Sequence, residues 1–521
     1  MVAAKQLATE PLRQQLPPSI SSRTTLSVSA EIVGNIMQSI SISAARSPAT
    51  KAQHVVSSSK VTSNTSLPPA APIVAKLFKT PQCATGGQNV SKVHNDLSDT
   101  VSSLNLQPIP RQELIKSVDS NAKNTQPAIS IEVLKPGVYT GSSVYTEEIS
   151  LLANQVQTGL QARVAPIPID DCTGGVYYLR TKNRRLTAVF KPADEEPYAL
   201  NNPKSFQKPE QAPSVSGIRQ GIAPEDAAVR EAVAYLLDHQ HFAKVPTTML
   251  ASLYHPAFHY HASESLHRKI GSVQAYVPHQ DTADDVGVSM FRASDVQAIA
   301  MLDIRLANQD RHGGNILVVE PTALVSSTSG TMTKAQTGKQ VSLIPIDHGA
   351  CLPRVSALSE TCFLWLFWPQ AKQPFSRAAL EYIAALDAHH DLQLLEANLP
   401  SGHHLEREAA LTLHVCTALL KFCSLDLKMT AHDIGMLMCR DEIVSQKDLS
   451  PSVLEMMVAS TLIDAAVLKS EVLLRLEDKQ RGMQAVAFNK QTQAQGKAWS
   501  NYVAIFMQTF RRMLASNLTA K

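Results

Sequence analysis

Four short stretches carry side chains whose types and spacing suit the movement of a phosphoryl group. In Leu302-Asp303-Ile304-Arg305-Leu306-Ala307-Asn308-Gln309-Asp310-Arg311-His312-Gly313-Gly314-Asn315-Ile316-Leu317-Val318, a helical pattern yields to a polar loop and then to an apolar strand. Asp310 can orient an attacking hydroxyl and take its proton, and the amide oxygen of Asn315, five residues on, can hold a magnesium ion. Leu343-Ile344-Pro345-Ile346-Asp347-His348-Gly349 delivers a second acid, Asp347, at the end of another apolar strand, within reach of the same metal. Ala188-Val189-Phe190-Lys191-Pro192 ends a strand on a lysine, a point charge for nucleotide phosphates. About fifteen residues earlier, Thr173-Gly174-Gly175-Val176-Tyr177 holds a glycine pair whose main chain can turn tightly and offer N–H groups to phosphate oxygens. Each piece has an ordinary alternative: a hairpin turn, a lysine at a strand edge, a surface pair of Asp310 with Arg311, a turn cap at Asp347. Their order along the chain is that of a kinase and favours phosphotransfer.

Two lobes are needed to position these groups. Residues 176–179, 186–190 and 271–277 read as strands, short and rich in β-branched and aromatic residues. Between them, Pro224 at a first helical position, Glu225 and Asp226 in the first turn and the stripe Val229, Ala232, Val233, Leu236 and Leu237 predict a helix. Past residue 290, helical spacing covers 296–309, 377–386, 406–422 and 453–475, interrupted by strands at 316–319 and 343–346. The fold class expected is α+β: a bilobal kinase-like domain over 141–480, with its N-lobe at about 165–280 and a mainly helical C-lobe at about 281–480. A helical extension, 481–521, follows, and residues 320–340 read as a surface insertion.

Composition sets the limits. The 521 residues are 44% hydrophobic and 18% charged, enough for a sizeable core. A net charge of +3, from 48 basic and 45 acidic residues, lacks the basic stripe of a nucleic-acid binder. Seven cysteines without a C-x-x-C pair encode neither a zinc site nor a disulfide framework, which suits a reducing compartment. Charges or prolines interrupt every apolar run, so no transmembrane segment is expected, and the protein reads as cytoplasmic or peripheral at a membrane. The first hundred residues hold 16 Ser and 9 Thr with repeated prolines, too little apolar surface to offset ordering, so 1–140 reads as a disordered tail.

The motifs resemble the phosphatidylinositol 3- and 4-kinase superfamily, and within it the type II phosphatidylinositol 4-kinases, most of all the plant gamma group. Carrying the resemblance are Thr173 to Tyr177, Val189-Phe190-Lys191-Pro192-Ala193-Asp194-Glu195-Glu196-Pro197, Asn201-Asn202-Pro203 and Arg230-Glu231-Ala232-Val233-Ala234-Tyr235. With them go Asp303 to Val318, Ile344 to Gly349 and Trp368-Pro369-Gln370-Ala371-Lys372-Gln373-Pro374-Phe375-Ser376. Common protein kinases carry His-Arg-Asp and Asp-Phe-Gly; this chain has Asp310-Arg311-His312 and Asp347-His348-Gly349, as the lipid-kinase side does.

The resemblance implies ATP as co-substrate and Mg2+ held by Asn315 and Asp347. It implies a nucleotide site made by Thr173, Gly174, Gly175, Val176 and Lys191, with the backbone of Gln274 to Val277, Tyr276 included, at the adenine edge. Glu196 or Glu195 would brace Lys191 or the metal. Glu231 ranks below Glu196, because a helical wheel sets it about 200° from Val229 and off the apolar stripe. Asp310 would act on the acceptor hydroxyl, while His312 either assists proton removal or satisfies backbone groups. Phe363, Trp365, Phe367 and Trp368 suit a membrane interface and a lobe core equally. Animal type II members carry a palmitoylated cysteine cluster where residues 204–220 here hold no cysteine, so no lipid anchor is expected at that place. The acceptor implied first is phosphatidylinositol in membranes, giving phosphatidylinositol 4-phosphate. A protein Ser/Thr substrate on the same scaffold is the alternative, and a nucleotide-binding module without catalysis a more distant one.

Overall fold

The smaller lobe is an antiparallel sheet whose two-residue alternation sorts side chains onto opposite faces. The computed structural model describes residues 128–134, 143–205, 217, 219–261, 265–320, 341–440, 450–482 and 488–519, all in a unit running from Asn124 to Thr519. Strands β1 (Ser130–Val133), β2 (Ile167–Pro168), β3 (Tyr177–Arg180), β4 (Leu186–Pro192), β5 (Thr248–Tyr254) and β6 (Lys269–Ala275) lie in the order β1-β5-β6-β4-β3-β2. Helix α1 (Ser143–Gln161) sets Val156 and Leu160 into one core with Leu179, Phe190, Leu253 and Val273. Because Phe190 joins that core, its neighbour Lys191 must point to the other face, toward helix α2 (Ala227–Leu237).

Several boundaries differ from the sequence reading. β1 pairs with β5, Ser130 opposite Tyr254, so the folded unit takes in residues assigned to the tail. β5 was not foreseen: it is buried on both faces and so shows no alternation. α2 begins at Ala227, not Pro224, and the Glu196 carboxylate accepts the N–H groups of Ala227 and Ala228 at 3.2 and 2.9 Å. Residues 1–127 and 135–140 of the expected tail and the 321–340 stretch lie outside the described residues.

The larger lobe is built around α3 (Ala293–Leu306), buried from Asp295 to its end, beside a small sheet of β7 (Asp281–Thr282), β8 (Ile316–Val319) and β9 (Ser342–Pro345). Around it stand α4 (Arg377–Ala385), α5 (Ala388–Asn398), α6 (Arg407–Lys421), α7 (Ala431–Met438), α8 (Val453–Leu462), α9 (Ala465–Gly482) and α10 (Phe488–Thr519). The helix expected over 453–475 is two helices, broken at Ile463 and Asp464, whose carboxylate accepts from Ala466 N–H. α10 packs on α6, α8 and α9 and buries Tyr502, Phe506, Phe510 and Leu514 at helical spacing, so the extension is part of the lobe. Arg407–Asp426 does meet the length and composition of a membrane-crossing helix, contrary to the expectation, but 67% of that window is buried as a core element. Of the four clustered aromatics, Phe363, Trp365 and Trp368 are core; Phe367 is 77% exposed.

Candidate active site

The loop after α3 is held from beneath by a buried carboxylate. α3 ends at Ala307 in the left-handed region, which turns the chain out of the helix. Asp303, fully buried, accepts from Arg311 Nε at 3.0 Å, Asn308 Nδ2 at 3.0 Å and Trp365 Nε1 at 2.9 Å. Arg311 Nη1 then donates to the carbonyls of Asn315 at 2.6 Å and Ile346 at 2.9 Å, tying the loop to the end of β9. Arg311 therefore belongs to the core and forms no surface pair with Asp310, the ordinary alternative weighed from the sequence.

On this base, Asn315 Nδ2 donates to the Asp310 carbonyl at 2.9 Å, which turns its amide oxygen the other way. Ile346 N–H donates to the Asn315 carbonyl at 3.0 Å, bringing Asp347 alongside. Asp347 sits at a φ of 56°, which a short polar residue tolerates better than most. The oxygens of Asn315 and Asp347 form a hard donor set suited to magnesium. The neighbouring His348 ring is fully buried behind them.

Lys191 reaches across from β4, its Nζ 2.5 Å from Glu231 Oε1 and 2.9 Å from Asp347 Oδ1. Glu231 Oε2 accepts the backbone N–H of His348 at 3.0 Å, so one carboxylate joins α2, β4 and the Asp347 turn. Burial raises the Glu231 pKa and the Lys191 charge offsets only part of that. Burial also works against ionised Asp347, but the charge and hydrogen bond of Lys191 prevail and hold its carboxyl at about 2. For Lys191 burial favours the neutral amine, and the two carboxylates overcome it, raising its pKa. The Lys191 ammonium and the Asp347 carboxylate are thus charged at neutral pH.

The other expected residues divide. Thr173, Gly174, Gly175 and Val176 lie in the loop of the β2–β3 hairpin, and the charges of Lys191 and Asp347 reach Cys172 beside them. Gly175 N–H donates to the Glu195 carbonyl at 2.9 Å, so it is already engaged within the protein. A Cβ on Gly175 would come within 1.9 Å of the Glu195 carboxylate, which explains glycine there. Glu195 accepts from Tyr177 Oη and pairs with buried Lys269, while Glu196 caps α2; neither touches Lys191. The brace is Glu231. Gln274 lies within the sheet, between Val189 and Thr248, and its amide donates to Thr248 Oγ1, so it is no linker residue. The linker starts at Tyr276, whose N–H donates to the Thr187 carbonyl, and continues through Val277. His312 is exposed, with its ring over Gly314 and not on Asp310.

Sequence pattern ranks one site residue too low and misses another. Glu231 was ranked low because the wheel assumes a solvated helix face, whereas α2 is buried all round. Arg219, whose guanidinium meets Asp310 Oδ1 at 2.5 Å, lies 91 residues away and carries no local signal.

A family model described as phosphatidylinositol 3- and 4-kinase matches residues 173–426. Among curated proteins, phosphatidylinositol 4-kinase gamma 4 of Arabidopsis thaliana is 36% identical over 335 residues, 62% of this chain and 54% of the relative. Phosphatidylinositol 4-kinase gamma 6 of the same plant is 37% identical over 318 residues, 58% of this chain and 48% of the relative. Phosphatidylinositol 4-kinase gamma 4 of Oryza sativa subsp. japonica is 33% identical over 328 residues, 61% and 52%. The chain spans about half the length of these relatives. With the lysine, the loop aspartate and the Asp347 turn all inside the matched residues, residues 173–426 are a phosphatidylinositol 3- and 4-kinase domain, similar to that of the plant phosphatidylinositol 4-kinase gamma proteins.

Proposed function

We propose that the protein is an ATP-dependent kinase that phosphorylates the inositol ring of phosphatidylinositol to give phosphatidylinositol 4-phosphate. One observation carries the phosphotransfer reading: a continuous run of contacts links Asp310 through Asn315 and Ile346 to Asp347 and Lys191. The acceptor is supported by the names of the relatives.

In this reading Lys191 leaves Asp347 for the nucleotide phosphates while Glu231 keeps it in place. Asn315 and Asp347 would hold magnesium, which supplies neutralisation of phosphate charge when bound with ATP. Asp310 orients the inositol hydroxyl and takes its proton as the oxygen bonds to the γ-phosphorus and the bond to the ADP oxygen breaks, leaving ADP. Thr173 to Val176 cover the phosphates, and the linker from Tyr276 meets the adenine. Exposed His312, two residues from Asp310 in the chain, would pass a proton to solvent. Contact with a membrane is supported by Phe367 and Met436, 77% and 52% exposed, whose chain neighbours Leu366 and Gly435 pack together. These residues fit a peripheral enzyme at a cytoplasmic membrane surface.

Incubating purified protein with labelled ATP and phosphatidylinositol vesicles, and separately with a generic protein substrate, tests this. Label is expected in the lipid at the 4-position; label in the protein alone would overturn the lipid assignment.

A further inference from the structure

The carboxylate given the proton-accepting role is covered. Arg219 Nη2 lies 2.5 Å from Asp310 Oδ1, and its Nη1 is 4.0 Å from Glu360. The backbone that carries Arg219 is seated on the larger lobe. Gln220 N–H donates to Glu360 Oε2 at 3.2 Å, and Arg354 N–H donates to the Gly221 carbonyl at 3.0 Å. Gly221 has a φ of +73°, and a Cβ there would stand 2.6 Å from Ala357 Cβ. The close approach and the left-handed backbone both call for glycine. Residues 219–221 therefore set the guanidinium on Asp310 from a fixed base.

The pair itself is exchangeable. Its side chains are 36% and 31% exposed, so solvent screens the attraction and an incoming group can compete for it. A guanidinium fork fits phosphate oxygens as well as it fits a carboxylate. A phosphodiester arriving beside Asp310 would meet the same N–H donors.

We propose that Arg219 is an acceptor-operated latch, covering Asp310 at rest and moving to the phosphodiester of the lipid acceptor, so that the carboxylate is bared only when a hydroxyl is present. The second half rests on the lipid-acceptor reading above. The latch guards against water. In an unlatched site a water oxygen bonds to the γ-phosphorus as the bond to the ADP oxygen breaks, and the water proton passes to Asp310, leaving ADP and inorganic phosphate. With Arg219 seated on its Oδ1, that Asp310 oxygen is not open to a water O–H and the loss is suppressed.

The test compares wild type with Arg219→Ala and Arg219→Lys, checking first that melting temperatures agree. ADP release from ATP is measured without acceptor, and initial rates are then followed against phosphatidylinositol in vesicles and against ATP. For Arg219→Ala, acceptor-free ADP release should rise about fivefold and the KM for the lipid about tenfold, as expected for one charge-assisted contact. The KM for ATP should stay within about twofold, and Arg219→Lys should fall between, since ammonium lacks the fork. Unchanged ADP release would overturn the latch, and a rise in the KM for ATP alone would reassign Arg219 to the nucleotide. If wild type labels no lipid, the acceptor reading has failed on its own, and the ADP-release comparison still decides whether Arg219 covers Asp310.

Discussion

Asp303 and Asp310 stand seven residues apart and each meets an arginine, yet their surroundings make them opposites. Asp303 and Arg311 are both at 0% side-chain exposure, and Asn308 and Trp365 fill the remaining lone pairs. Asp310 and Arg219 are each about one-third exposed. A buried charge without its partner is expensive, so the first pair cannot open without loosening the fold. The second can be exchanged for a ligand at small cost. The carboxylate that holds the loop and the carboxylate suited to chemistry are thus distinguished by burial and not by residue type.

Substitution should separate them most strongly. Asp303→Ala strands Arg311 and Trp365 Nε1 and is expected to lose about 3–5 kcal/mol of stability, read from the urea midpoint. Asp310→Ala should leave that midpoint unmoved while turnover falls by about a hundredfold to ten-thousandfold, the span of general-base catalysis. A stable Asp303→Ala enzyme, or an unstable Asp310→Ala one, would collapse the distinction.

A second pair of acids extends the comparison at smaller scale. Glu231 bridges Lys191 and His348 N–H, whereas Glu196 accepts the first N–H groups of α2. Glu231→Gln should lower kcat/KM about ten- to a hundredfold, through a lysine no longer held by charge. Glu196→Gln should cost about 0.5–1 kcal/mol at the helix terminus and change kcat/KM by less than about twofold. Steady-state rates beside melting curves for both proteins check this, and equal rate losses would restore Glu196 as a brace.

These pairs also show what was legible in the sequence. Lys191, Asp310, Asn315 and Asp347 could be found because each sits at a strand end or in one continuous loop, where spacing along the chain is spacing in the site. β4, β8 and β9 were found for the same local reason. Glu231 was not favoured because periodicity reports which face is apolar, and on a helix buried all round that no longer says which face meets the site. Arg219 joins Asp310 over 91 residues, and Arg311 turns inward because Asp303 is waiting beneath it. Neither outcome is carried by local pattern. β5 hid because burial on both faces erases alternation, and Glu195 and Glu196 misled because adjacent acids on a turn can be drawn to different partners, here Lys269 and the α2 terminus.

Between the two extremes of burial lies Arg440 with Glu455, at 28% and 15% side-chain exposure, joining the end of α7 to the start of α8. Glu455 also accepts from Ser452 N–H at 2.8 Å in a capping box, a place that glutamine fills as well. Glu455→Gln therefore removes the charge while keeping the cap. Burial raises the Glu455 pKa, but hydrogen bonds from Arg440 and Ser452 outweigh it and leave the group below its ordinary value. A carboxylate so depressed adds stability above the unfolded pKa of about 4.3 and loses it as pH falls through the folded value. Glu455→Gln should accordingly be about 0.5–1 kcal/mol less stable than wild type at pH 7, and the gap should close below about pH 4. Urea unfolding at both pH values measures it. A gap of the same size at pH 3 would mean that packing, not charge, joins the two helices, and that partial burial had already turned an exchangeable pair into a structural one.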